Sequence, residues 1–419
     1  MLAGGEGKRV FPLAVNRPKP MFELLGKPLI HHVIDVLKEG GLTDYIIVIG
    51  HQGEKIKNYL KDGKEFGVNI EYTFQKNFFV VNADDIFDSS LINKMTQQFK
   101  KAIPEVVLSC QPVKETWKFG IIKVEDKKVT DFVEKPPKGK ETSNLAVVGV
   151  YILTKKIFDY YRKIPVSDHQ YEDAILNYIK DGNYVSAVNY DGFFSGYKYP
   201  WDLFTINKHL MDKKITQKIV EDNVQISERA ILEGNVWIKS GVKLFEGACV
   251  KGPCYIGENC VVGGNSLVRD YSSLGKNCVV GFSTEIKHSI IGNDCWFHMN
   301  YFGDSIVSEN CLFGAGTITA NYRFDENKIK VRIGDRQIES NTNKLGAIIG
   351  DNCKTGINAC LEPGVKIGPQ SMVGPNVDLQ EDLELMKIIY VDKKCFVKKD
   401  NTINVSSESK KQLMKKLKK

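Results

Sequence analysis

Apolar positions along the chain follow two rhythms, and the change between them falls near residue 215. Before it, strand-like and helix-like spacings alternate, as they do where helices cover a sheet. Thr43-Asp44-Tyr45-Ile46-Ile47-Val48-Ile49-Gly50 reads as a buried strand ended by glycine. His31 to Glu39 precedes it with apolar residues at helical spacing and a Gly40-Gly41 stop. Phe78-Phe79-Val80-Val81 is a second strand, running into Asn82-Ala83-Asp84-Asp85. Leu145 to Leu153 is a third, and Tyr171 to Ile179 a helix. The pattern predicts a mostly parallel, helix-covered sheet with ligands beyond the carboxyl ends of its strands.

From about residue 220 the period becomes six. Val220, Ile226, Leu232, Ile238, Leu244, Val250, Ile256, Val262, Val268, Leu274, Val280 and Ile286 are all aliphatic. Small residues follow four places on: Ala230, Ala248, Cys254, Cys260, Ser266, Ser272, Cys278 and Thr284. Neither a 3.6-residue helix nor a two-residue strand gives this repeat. A parallel β-helix of hexapeptides does, with one aliphatic residue inward per short strand and a small one at each corner. The period resumes as Ile306, Leu312, Ile318, and again as Ile349, Thr355, Leu361, Ile367, Val373. Two interruptions, Ile291 to Asp304 and Asn321 to Lys344, are expected to project as loops. The shared phase of Cys254, Cys260 and Cys278 makes them stacked corner residues rather than ligands.

A chain of 419 residues exceeds one hydrophobic core, in line with this division. We expect a region 1–215, a β-helix 216–390 and a basic tail 391–419. The net charge of +7 suggests a nucleic-acid partner until its distribution is read. Ten lysines between Lys393 and Lys419 face only Asp400 and Glu408, so the rest of the chain sums to −1. A neutral body lacks the basic groove a nucleic-acid enzyme needs, and a solvated terminus is expected of the tail. No apolar stretch approaches a membrane span, and the start lacks a signal-peptide pattern. The expectation is therefore a cytoplasmic protein with neither nucleic acid nor membrane as partner. Its ten cysteines include no CxxC pair and are expected to be reduced.

Leu2-Ala3-Gly4-Gly5-Glu6-Gly7-Lys8-Arg9 is a glycine-rich turn in which backbone N–H groups can approach phosphate closely. By itself it is as compatible with a plain turn, just as Asp84 after its strand is as compatible with a helix cap. Arg17-Pro18-Lys19-Pro20-Met21 and Gly26-Lys27-Pro28-Leu29-Ile30 follow. With these in place the chain resembles the sugar-1-phosphate nucleotidylyltransferases. The resemblance implies a Rossmann-like α/β domain in which Leu2, Gly4 and Gly5 meet a nucleoside triphosphate. Arg9 and Lys19 would stabilise its phosphates, and Asp84 with Asp202 (Tyr199-Pro200-Trp201-Asp202) would hold Mg²⁺. Gln75 would read a pyrimidine, favouring UTP or dTTP. Gly120, Glu134, Lys135, Asn144 and Val147 would line the side that takes a hexose or N-acetylhexosamine 1-phosphate. The family places a second glycine-rich stretch and a helix after the base-reading glutamine, whereas Gln75-Lys76 runs straight into Asn77-Phe78-Phe79-Val80. That leaves two readings: a lost nucleotidyl activity, or residues absent from the sequence as given.

His298-Met299-Asn300-Tyr301-Phe302-Gly303-Asp304 and Gly314-Ala315-Gly316-Thr317-Ile318-Thr319-Ala320-Asn321-Tyr322 interrupt or decorate the hexads. Here the chain is similar to the left-handed β-helix acetyltransferase domain of the bifunctional glucosamine-1-phosphate acetyltransferase/N-acetylglucosamine-1-phosphate uridyltransferases. The resemblance implies His298 as the base that takes the amine proton, a task suited to an imidazole. Arg269 and Lys287 would hold the sugar phosphate; Tyr301, Asn321 and Lys328 would bind the sugar or orient the reaction. Acetyl-CoA would lie along Ala315, with Gly374 nearby, in a site formed between the subunits of a homotrimer. Leu312 stands where the family has asparagine. The implied function is acetylation of an amino-sugar 1-phosphate followed by its nucleotidyl transfer. The alternatives are a pyrophosphorylase with a structural or regulatory β-helix, and a non-catalytic sugar-nucleotide sensor.

Overall fold

The structure is a computed structural model describing residues 1–5, 7–50, 52–70, 77–102, 106–165 and 170–392. Gln75, the junction at Lys76 and the basic tail from Lys393 lie outside the described residues.

The first region centres on a six-stranded sheet. Its order is Gly120–Glu125, Lys128–Glu134, Val185–Asn189, Val106–Pro112, Leu145–Thr154, Asn77–Val81. The expectation of a mostly parallel sheet fails here: only the Val185–Asn189/Val106–Pro112 pair is parallel. A hairpin at Asp126-Lys127, both with positive φ, forces the first pair antiparallel. The Thr43–Gly50 segment is two short strands, Asp44–Tyr45 and Val48–Ile49, not one buried strand. Ile46, between the two strands, and Val48 are exposed; among the described residues the strands pair with the equally short Asn69–Ile70 and Leu2–Ala3. The Leu29–Glu39 helix buries Leu29, Ile30, Val33, Ile34 and Leu37 and ends at Gly40, as its spacing predicts. The 171–179 helix spans Gln170–Lys180.

The second region is a three-sided parallel solenoid. Face A stacks eight strands from Ile219–Val220 to Lys366–Ile367; face B stacks nine from Gln225–Ile226, and face C eight from Ile231–Glu233. From Ile238 to Ile286 every sixth aliphatic residue points inward and is buried, while Val220 and Ile226, in the terminal coil, are exposed. Corner residues such as Asn259, Asn265 and Asn277 take left-handed backbone, which short polar side chains tolerate. Each corner thiol donates to the carbonyl of the next coil: Cys260 Sγ to Gly275 O (3.0 Å), Cys278 Sγ to Gly292 O (3.1 Å).

After Ile286 the spacing contracts, and the predicted phase is wrong there. The inward residues are Ile291, Phe297, Phe302, Val307, Phe313 and Thr319, so Leu312 and Ile318 point outward. The Ile291–Asp304 segment is therefore not a projecting loop but continuous coil with shortened corners. Three aromatic rings fill it, with Phe297, Phe302 and Phe313 centroids 4.6–4.9 Å apart. The second interruption does project. It carries an antiparallel hairpin, Lys330–Ile333 with Arg336–Glu339, and closes at a Tyr322–Lys344 bridge.

Face A does not end in solvent. Its outward residues Tyr255, Ile290, Ile306 and Ile348 are buried in one apolar cluster with Leu24, Leu29, Ile30 and Leu203 of the first region. The two regions therefore share a core.

Candidate functional site

Two groups of predicted residues converge, one in each region. In the first, the Leu2–Ala3 strand leads into the glycines, and Gly7 adopts φ 72° before the Lys8–Val10 turn. Lys19 opens a second such turn between Pro18 and Pro20. Its Nζ donates to Tyr197 O (2.8 Å), pairs with Asp84 Oδ2 (3.3 Å) and lies over the Tyr197 ring. Asp202, the first residue of the Asp202–Lys214 helix, accepts from Lys198 N (2.8 Å) and Tyr199 N (2.6 Å), both at Oδ2. Burial raises its pKa against those two bonds. Tyr197 N donates to Asp84 O (3.2 Å) and the next residue's N–H, that of Lys198, to Asp202 Oδ2, so one stretch of backbone contacts both acidic residues.

Sequence reasoning missed Asp85 and Lys198. Asp85 is buried, accepts from Asn82 Nδ2 (2.9 Å), and is pushed up to about 7 by desolvation and the neighbouring Asp84 charge. Lys198 Nζ stands 4.6 Å over the Phe119 ring. Its pKa is lowered by desolvation, with Arg9 adding to the effect and Asp85, Asp202 and Glu134 opposing it. Of these neighbours Arg9 is exposed. Glu134 and Gly120 are cross-strand partners, and Glu134 Oε1 pairs with Lys135 Nζ (2.8 Å). Asn144 O accepts from Val113 N where the Leu145–Thr154 strand begins. The only signal for Lys198 in the sequence was its place four residues before Asp202.

The donor set suits a hard, oxygen-loving cation. Asp84 Oδ2 faces Lys19 (3.3 Å), and Asp202 Oδ1 takes neither of the bonds that hold Oδ2. Among the described residues no group of three or more His, Cys, Asp or Glu could cage a metal. The residues fit an ion that shares its ligands with phosphate oxygens. A cavity of about 740 Å³ opens between Gly7-Lys8 and the β-helix residues Arg332, Lys366 and Asp382.

In the second region the register does the assembling. Lys287 pairs across face C with Gly303, and Arg269 N donates to Ile286 O in the coil alongside. Arg269 forms an ion pair with Glu285 (3.0 Å). Asp304, which the sequence reading left without a role, is the hub. It accepts from Lys287 Nζ (2.6 Å), His288 Nδ1 (2.9 Å) and Asn321 Nδ2 (2.5 Å). Burial pushes its carboxyl up, but the His288, Lys287 and Asn321 bonds outweigh that and hold it below the usual range. Gly303 is what permits this crowding: a Cβ there would lie 2.6 Å from both Tyr301 Oη and Asn321 Nδ2. His288 in turn stacks on Phe204, in the first turn of the helix that begins with Asp202 (5.0 Å between centroids).

His298 sits at the corner between faces B and C, its ring exposed. Its backbone is fixed by Asn300 Oδ1 (2.7 Å from N) and Thr284 Oγ1 (2.6 Å from O). Among the described residues the ring itself has no hydrogen-bond or ion-pair partner. Ala315 occupies the next coil over this corner, with Gly316 N donating to Met299 O (2.8 Å). Lys328 lies in the projecting insertion and pairs with Glu339 (2.9 Å), apart from the Asp304 hub's bonds.

Among the described residues no helix is long and apolar enough to cross a membrane. The family described as nucleotidyl transferase matches residues 1–77 and 74–201, and the bacterial transferase hexapeptide family matches 346–377. The bifunctional protein GlmU of Methanocaldococcus jannaschii is 36% identical over 93% of this chain and 96% of its own length. That of Methanococcus maripaludis strain C7 is 40% identical, with the same two coverages. The bifunctional sugar-1-phosphate nucleotidylyltransferase/acetyltransferase of Sulfurisphaera tokodaii is 32% identical over 91% of this chain and 97% of its own. A nucleotidyltransferase fold sharing a core with a left-handed hexapeptide β-helix, matched over more than nine-tenths of the chain by such relatives, places this chain in the family of bifunctional sugar-1-phosphate nucleotidylyltransferase/acetyltransferases.

Proposed function

We propose that the chain carries out two consecutive transfers. The β-helix region moves the acetyl group of acetyl-CoA to the amine of glucosamine 1-phosphate. The first region then joins N-acetylglucosamine 1-phosphate to the uridylyl group of UTP and releases pyrophosphate; dTTP and glucose 1-phosphate are the substrates of next best chemical fit. The observation that carries this reading is the chain of contacts around residues 197–199: Lys19 Nζ bonds Tyr197 O and pairs with Asp84, Tyr197 N donates to Asp84 O, and Lys198 N donates to Asp202.

In the uridylyl step a phosphate oxygen of the sugar attacks the α-phosphorus while the bond to pyrophosphate breaks. Negative charge spreads over the transferred group, and fixed cations offset it without reorganising. Lys19, held by Tyr197 O and Asp84, is such a cation, and Arg9 would be a second. Magnesium held by Asp84 and Asp202 would add further positive charge at the phosphate oxygens. Glu134 accepts from sugar hydroxyls, and Lys135 meets the sugar phosphate. Gln75 is assigned to the base. Leu2, Gly4 and Gly5 present backbone to the triphosphate.

In the acetyl step the amine attacks the thioester carbon, the C–S bond breaks, and His298 takes the amine proton as the thiol leaves. Arg269 and Lys287 hold the phosphate, and Tyr301 and Asn321 the sugar. Trp296, Met299, Leu312 and Ile318 are exposed around the His298 corner, which supports a homotrimer in which a neighbouring β-helix covers it. Lys328 binds the sugar or orients the reaction, and Ala315 then faces acetyl-CoA across that junction, in a cytoplasmic enzyme.

Two assays on the full chain test the reading: pyrophosphate release from UTP with N-acetylglucosamine 1-phosphate, and thiol release from acetyl-CoA with glucosamine 1-phosphate. Both are expected, and His298→Ala abolishes the second alone. Pyrophosphate without thiol would make the chain a nucleotidylyltransferase with a structural β-helix. Binding of UTP without either product would make it a sensor.

A further inference from the structure

The Asn16–Lys19 segment is anchored from outside its own region. Arg17 is nearly buried, and its two terminal nitrogens reach different carboxylates of the solenoid: Nη1 to Glu309 Oε1 at 2.8 Å and Nη2 to Asp351 Oδ1 at 2.9 Å. Asn16 Nδ2 donates to the other Asp351 oxygen (2.9 Å). The carboxylates are themselves held. Asp351 Oδ1 accepts from Glu309 N (3.2 Å) and Ser308 Oγ, and Asn293 Nδ2 bridges Glu309 to Glu23 of the first region. A cavity of about 20 Å³, room for one water, lies against Arg17, Glu23 and Glu309. The apolar core joining the regions needs no such pairing, and a buried ion pair is weak grounds for stability. What the pair does supply is fixed geometry, since two bonds to separate carboxylates orient a planar guanidinium.

That geometry passes to Lys19 with little slack. Pro18 follows Arg17 at φ −69°, and Pro20 follows Lys19, so the backbone is restricted on both sides of the lysine. We propose that Arg17, clamped by Glu309 and Asp351, is a positioning residue that sets Lys19 against Asp84. The nucleotidyl site is then complete only when the β-helix supplies its two carboxylates. This rests on the reading of Lys19 given above, and it adds a dependence of one activity on the other region's surface.

The test measures both activities of the full chain. Arg17→Ala is expected to lower kcat for pyrophosphate release by about 10–100-fold, the scale of a misplacement near 1 Å. KM for the sugar phosphate should change much less, and thiol release from acetyl-CoA should be retained. Arg17→Lys should recover part of the loss. The double variant Glu309→Gln/Asp351→Asn should reproduce it from the other side. Once Lys19 is alanine, Arg17→Ala should cost nothing further, because groups acting as a unit are non-additive. Full additivity of the two changes, or an unaltered kcat in Arg17→Ala, would overturn the clamp. Full activity in Lys19→Ala alone would instead overturn the role of Lys19. Should Arg17→Ala lose acetyl transfer as well, Glu309→Gln, which leaves the Asp351 bond, replaces it under the same criteria.

Discussion

The two candidate sites are built on opposite plans. In the first region Arg9, Lys19, Asp84, Glu134, Lys198 and Asp202 come from separate turns and strand ends, and their meeting depends on everything packed between them. In the solenoid, Arg269, Lys287 and Tyr301 belong to successive coils of one face, so register alone brings them together. The difference teaches where damage will travel. A change in a solenoid corner should stay within its neighbouring coils, whereas a change at the shared core or at Arg17 should reach the nucleotidyl site.

The largest effect expected is on the solenoid's own core. Phe302→Ala removes one of three mutually packed rings and should cost about 3–5 kcal/mol, read as a fall in the urea midpoint without a change in slope. Trp296→Ala, on the outward side of face B, should cost under about 1 kcal/mol by the same measurement. Equal costs would contradict the contracted phase assigned to these coils.

Next comes Lys19→Ala. Loss of a fixed donor at developing charge costs about 10²–10³ in rate, expected in pyrophosphate release with thiol release untouched. This variant separates the two plans most cleanly, since the polar partners of Lys19, Tyr197 and Asp84, both belong to the first region.

The two plans also differ in how much of them the sequence displays. The hexads are legible because each coil repeats one demand, an aliphatic inside and a small corner. The nucleotidyl loop is legible because glycines, the Pro-Lys-Pro segment and Asp84 lie in motifs local to the chain. What escaped has a common cause. After Ile286 the corners shorten, and a period of six no longer tracks which side faces in, so Leu312 and Ile318 were given the wrong side. Tyr255, Ile290, Ile306 and Ile348 point outward yet are buried, a fact that depends on a distant partner. Arg17 and Asp351 are 334 positions apart, and no local spacing announces their pairing. The parallel-sheet expectation failed similarly, because strand direction is set by turns such as Asp126-Lys127 rather than by apolar content.

A smaller effect should come from Asp304→Asn, which keeps the shape of the hub and removes its charge. KM for glucosamine 1-phosphate in thiol release should rise roughly 10-fold if Lys287 and Asn321 are held for substrate by that carboxylate. The sign of the pH dependence follows from its depressed pKa. A carboxyl lower in the folded than in the unfolded chain contributes stability above the unfolded value near ~3.9, and loses it as pH falls through the folded one. The wild-type chain should therefore lose stability on acidification below about pH 4 more steeply than Asp304→Asn, measured by thermal unfolding across that range. Parallel curves would mean that the hub contributes no linkage.

The smallest effect tests the corner rule itself. Cys278 Sγ donates to Gly292 O at the corner before face B, while at the corner before face C Ser266 Oγ donates to Gly281 O at 2.5 Å. A hydroxyl already does the same task in the same fold, so Cys278→Ser should change stability by less than about 0.5 kcal/mol. Cys278→Val keeps the apolar character but adds bulk at a site with no exposed surface, and overpacking of this kind costs about 1–3 kcal/mol. The ordering of the two variants in urea is the measurement: if valine were tolerated better than serine, hydrophobicity rather than size would govern the corner. The stacked cysteines would then be core residues selected for apolar surface, and the small-residue half of the hexad rule would lose its physical basis.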